Sequence, residues 1–150
     1  MPQLENEYIK TGKIKYVFRD LPLEAIHKNA FKAAEAASCA YEQGKFWEMH
    51  DSLFANQATL SPANLSIYAE TIGLDITKFK QCLDSGKYAA EIRKSIAEAG
   101  EAGITGTPTF LLGFTEPNSS KVKVLKVLRG AQPYAAFKDA IDAALSTKKQ

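Results

Sequence analysis

At 150 residues the chain fits one domain long enough to bury a core without staples. Its 45% hydrophobic and 24% charged residues are the composition of an ordinary soluble globular protein. With 19 basic against 17 acidic side chains, the net charge of +2 offers no electrostatic case for binding nucleic acid or a membrane surface.

Residues 2–10 read as the tail of a helix, with Leu4, Tyr8 and Ile9 on one side and Thr11-Gly12 as its stop. Residues 13–19 alternate through Ile14, Tyr16 and Phe18, the period of a first strand, and Asp20-Leu21-Pro22 ends it. From about 24 to 101 the pattern is helical. The stretch 29–43 is rich in alanine, which favours helix and permits close helix approach, and Gly44 closes it. Phe46, Met49, His50, Leu53 and Phe54 make the stripe of the next helix, and Trp47 reads as core with them. Ser61 and Pro62 supply the N-cap and first residue of a third. Asp75 caps a fourth carrying Phe79, Cys82 and Leu83, and Tyr88, Ala89, Ile92, Ile96 and Ala99 mark a fifth.

Gly106-Thr107-Pro108 then runs into residues 109–114, apolar on both faces as in a covered central strand. Residues 115–120 read as a turn. Val122 and Val124 alternate with Lys121 and Lys123, and the phase slips around Leu125, which predicts an edge strand with a bulge, its lysines guarding the edge. Gly130 and Pro133 introduce a last helix through Tyr134, Phe137, Ile141 and Leu145, followed by a lysine-containing tail.

No stretch approaches the roughly 20 apolar residues of a membrane span, and the polar, acidic start is unlike a signal peptide. Cys39 and Cys82 lie too far apart for a local redox or zinc pair, leaving two buried thiols or a long-range structural disulfide. His50, at helical spacing with apolar neighbours, reads as a packed, hydrogen-bonded histidine, and His27 as a loop residue. The two make no zinc pattern, so neither metal nor cofactor is expected.

Three motifs in register carry a resemblance. Tyr16-Val17-Phe18-Arg19-Asp20-Leu21-Pro22-Leu23, Gln43-Gly44-Lys45-Phe46-Trp47-Glu48-Met49-His50-Asp51 and Gly106-Thr107-Pro108-Thr109-Phe110 resemble the DsbA-like thiol-disulfide oxidoreductases of the thioredoxin superfamily, over essentially the whole chain. The resemblance implies an α/β thioredoxin-like fold in a single domain, 1–150, with a helical insertion between the second strand and the cis-proline strand. Residues 1–23 and 101–150 would form the thioredoxin core and 24–100 the insertion. It implies a cis Thr107-Pro108 peptide, with Thr107 and Pro108 contacting substrate. For Cys39 and Cys82, two buried thiols and a structural disulfide clamping the first and fourth insertion helices both stay open, since sequence does not supply the Cα separation that decides between them. Partners would be cysteine-containing polypeptides and a redox protein, in the periplasm or another extracytoplasmic space.

The family's first strand and Cys-x-x-Cys have no counterpart here and would precede Met1, so no catalytic residue is assigned. The expected activity is dithiol-disulfide exchange on exported proteins, absent from these residues alone. A non-catalytic peptide-binding module, or a relative of the kappa-class glutathione transferases and isomerases, are the alternatives. With the first strand absent, residues 13–19 and 109–114 are expected to close up on one another, or a second chain to fill the gap as a homodimer.

Overall fold

In the computed structural model, which describes residues 2–115 and 121–147, the chain starts with a short helix, α1 (Pro2–Leu4), that widens into a π-helical turn over Glu5–Ile9. Gly12, at φ 71°, ends it in the left-handed conformation that glycine adopts without strain. The chain divides into two units, one holding the described residues of 1–18 and 104–150, the other residues 19–103.

The first unit is a β-hairpin backed by helix. Strand β1 (Thr109–Thr115) pairs antiparallel with β2 (Val122–Arg129), and α7 (Tyr134–Thr147) packs on β1. Leu4, Tyr8, Phe137 and Ile141 are its buried centre, with Ile14, Phe110, Leu112 and Leu128 packed around them. Phe110 meets Phe137 edge to face at 4.8 Å between ring centroids. The Tyr8 hydroxyl, almost fully buried, donates to Asp142 Oδ1 at 2.7 Å, and burial pushes its pKa up. Leu112 pairs with Lys126 and Gly113 with Val124, so Leu125 is the extra residue of a bulge, where the sequence phase slips. A Cβ on Gly113 would stand 2.3 Å from the Lys123 carbonyl oxygen, so the bulge admits only glycine there.

Two expectations fail in this unit. Residues 13–19 are not a strand: Ile14, Tyr16 and Phe18 are half-buried and their neighbours exposed, as the alternation requires, but the sheet of the described residues has two strands, β1 and β2. A strand exists through its ladder, and residues 13–19 do not close up on β1 to make one. Nor is β1 covered on both faces, since Leu111 is 47% and its cross-strand partner Val127 38% exposed. Of the turn expected at 115–120, Thr115 belongs to β1 and the rest lies outside the described residues.

The second unit is all helical: α2 (Ala30–Tyr41), α3 (Phe46–Ala55), α4 (Pro62–Thr71), α5 (Ile76–Ser85) and α6 (Ala89–Glu101). α2 touches the other four, and its buried Ala33, Ala36, Ala37 and Ala40 let them come close. Met49, Leu65 and Phe79 fill the centre. Ser61 Oγ accepts the Asn64 amide and Asp75 Oδ1 the Lys78 amide, capping α4 and α5 as their sequences predict. On α3 only Met49 and Leu53 are buried; Trp47 and Phe54 stand 47% and 57% exposed, outside the core expected for them. Cys39 of α2 and Cys82 of α5 are joined by a disulfide, their Cα atoms 5.9 Å apart and 43 positions apart in sequence. Among the described residues no helix is long and apolar enough to cross a membrane.

Residues 19–24 lie against α6 through side chains instead of a ladder. Arg19 pairs with Glu98, Arg93 with Glu24, and Ser95 Oγ donates to the Asp20 carbonyl at 2.8 Å. The Asp20 carboxyl is pushed up to about 6 from 3.8, chiefly by burial, with His50 opposing and Glu91 adding to the rise.

Two measurements follow from the helical unit. Replacing Cys39 and Cys82 by alanine is expected to lower stability by about 4 kcal/mol on the loop-entropy scale, read as a falling urea midpoint; an unchanged midpoint contradicts it. A raised folded-state pKa means the folded chain holds the Asp20 proton more tightly than the unfolded one. Ionised Asp20 therefore costs stability above pH 6, and the cost disappears as pH falls from about 6 to 4. Asp20→Asn should stabilise the chain at pH 7 by up to about 3 kcal/mol, with the gap to wild type closing by pH 4.

Candidate functional site

Gly106, Thr107 and Pro108 lead into β1, and the Thr107-Pro108 peptide is cis. The loop is tied down by its own backbone. Thr109 Oγ1 donates to the Gly106 carbonyl at 2.7 Å, and the Gly130 amide donates to the Pro108 carbonyl at 2.8 Å. The second bond fastens the loop to the end of β2, where Thr109 faces Arg129 across the ladder. Between residues 105–109 and 129–130 lies a solvent-open hollow of about 200 Å³.

Thr107 and Pro108, the residues predicted to meet substrate, are exposed on its wall. Arg129 and Gly130 share that wall and are not predicted from sequence, where Gly130 reads only as the approach to the last helix. Their signal is the hairpin register, which sets the last residue of β2 opposite the first of β1.

The predicted cysteines belong to the other unit and are bonded to each other, and no described cysteine is free. Disulfide exchange starts from a thiolate, and neither sulfur can supply one while the bond stands. His50 is packed and hydrogen-bonded: its ring lies 4.6 Å from that of Phe54 and 5.3 Å from that of Trp47, and Nδ1 is 2.9 Å from Asp51 Oδ1. His27 is exposed, and among the described residues no group of His, Cys, Asp and Glu gathers as a metal site. The hollow itself offers hydroxyls, backbone and a guanidinium, which can hold a polar ligand but include neither a thiol nucleophile nor a neutral base.

A thioredoxin family model matches residues 1–143. The chain is 41% identical over 111 residues to the Na(+)/H(+) antiporter NhaA 3 of Salinispora tropica, which spans 74% of this chain and 17% of that protein. It is 46% identical over 99 residues to the Na(+)/H(+) antiporter NhaA 1 of Salinispora arenicola, 66% of this chain and 15% of that protein. A third relative, the Na(+)/H(+) antiporter NhaA 1 of Mycobacterium sp. (strain KMS), is 39% identical over 99 residues, 65% of this chain and 16% of its own. The chain thus spans less than a fifth of the length of these curated relatives. With the family model running over all but the last residues, and the loop before β1 built as described, the chain belongs to the thioredoxin family and has a fold of the thiol-disulfide oxidoreductase type.

Proposed function

We propose that this chain is a DsbA-like thiol-disulfide oxidoreductase domain that works on exported, cysteine-containing polypeptides in an extracytoplasmic space. Its groove holds substrate in extended form while a dithiol outside these residues exchanges disulfides with it. In this reading residues 24–100 are a helical insertion in a thioredoxin core made of 1–23 and 101–150.

The observation that carries the proposal is the Thr107-Pro108 loop lining a hollow at the mouth of β1. An extended peptide laid along such a loop can pair its backbone as an added strand, and every second side chain then turns toward the groove. The Cys39–Cys82 bond supports an oxidising compartment, where long-range disulfides persist. It also favours a second reading, a peptide-holding module without redox work, because both cysteines of the chain are spent on each other. Antiport is no part of the proposal, since the match takes in 17% and 15% of the two Salinispora proteins.

Binding of an unfolded, carboxamidomethylated polypeptide tests the groove. Thr107→Arg, which puts a bulky cation on its wall, is expected to weaken binding about tenfold or more, with the circular dichroism spectrum unchanged. Equal binding by wild type and variant would sink the reading. In an insulin-reduction assay the chain alone should be inactive, and activity from it would overturn the assignment of the dithiol to another segment or protein. Activity restored by a supplied dithiol partner favours the oxidoreductase, and binding without any such rescue favours the holding module.

A further inference from the structure

We propose that Arg129 is a specificity-determining residue of this groove, selecting polypeptide segments that carry a carboxylate beside the cysteine; the inference rests on the reading of the hollow as a substrate groove. Three observations lead to it. Arg129 is the single charged side chain on the described wall, and no acid stands there to offset it. The chain has three arginines, of which Arg19 and Arg93 are each paired with a glutamate, whereas Arg129 has no ion-pair partner among the described residues. Its place is fixed: it ends β2 opposite Thr109, next to the Gly130 amide that holds the Pro108 carbonyl at 2.8 Å.

The chemistry of the wall is that of a donor site. The guanidinium offers a planar fork of N–H groups that matches a carboxylate with two parallel hydrogen bonds, which a lysine ammonium cannot do. The hydroxyls of Thr105 and Thr107 lie on the same wall and can donate alongside it, while Thr109 Oγ1 already donates to the Gly106 carbonyl. A segment drawn along the loop therefore meets one cation, its backbone set by the hairpin register, and two neutral donors. An Asp or Glu side chain facing the wall completes the pair, an amide is neutral toward it, and a lysine is repelled.

The test uses three peptides of one sequence with the cysteine carboxamidomethylated and Glu, Gln or Lys beside it, titrated onto the whole chain by fluorescence anisotropy at low and high salt. Wild type is expected to bind the Glu peptide about threefold to fivefold more tightly than the Gln peptide, the range of an exposed charge pair, and the Lys peptide most weakly. High salt should compress the differences. Arg129→Gln should abolish the ranking, Arg129→Lys keep part of it, and Arg129→Glu turn it toward the Lys peptide, each with an unchanged circular dichroism spectrum. Equal binding of the Glu and Lys peptides by wild type, or a ranking unaltered in Arg129→Gln, overturns the role of Arg129 and leaves the groove standing. Failure of all three peptides to bind, or binding indifferent to Thr107→Arg, overturns the groove and the selectivity together.

Discussion

The Gly130 amide reaches the Pro108 carbonyl at 2.8 Å, one step beyond the last ladder pair of the hairpin. A loop holding a proline has lost a donor of its own, so its shape depends on carbonyls that other segments must satisfy. Here the partner comes from the far end of β2. The groove is therefore as well placed as the hairpin is well registered, and the register in turn rests on the Leu125 bulge, the bare α-carbon of Gly113 and the seating of Phe110 on Phe137.

The helical unit is stabilised by different means. Its central helix is lined with alanines, which bury little apolar area each and gain their value from letting neighbours approach. Phe79, Met49 and Leu65 supply bulk, and the Cys39–Cys82 bond fixes α2 to α5 covalently. Glu35, also on α2 and nearly inaccessible, keeps its charge company with Lys32 at 2.8 Å, and the same ammonium donates to the Leu83 carbonyl of α5. A hydrogen bond from the Lys32 ammonium and a disulfide thus join the same two helices.

What could be read from sequence divides along local and non-local lines. Helices declare themselves within a few residues, through the spacing of apolar side chains and caps such as Ser61 and Asp75. Ile14, Tyr16 and Phe18 show the limit: alternation states which side chains turn inward, but a strand also needs a neighbour, and no local pattern says whether one is present. Leu125 was legible because a bulge breaks the period on its own strand. Arg129 was not, because its place beside Thr107 is created by pairing across the hairpin, and the bond between Cys39 and Cys82 is likewise a matter of distance in space. Trp47 and Phe54 sit on a helical stripe that is wider than the face α3 buries.

The two strands of the hairpin are unlike in charge. β1 has no ionisable side chain, while β2 carries Lys123, Lys126 and Arg129; the register sets Lys126 on the face of Leu112 and Arg129 on the face where Leu111 and Val127 meet water. Exposed apolar sheet surface invites other sheets, and cations along a strand oppose the approach of a like hairpin. Acetylating those lysines, or screening them with salt, weakens that repulsion while leaving the ladder of the hairpin intact.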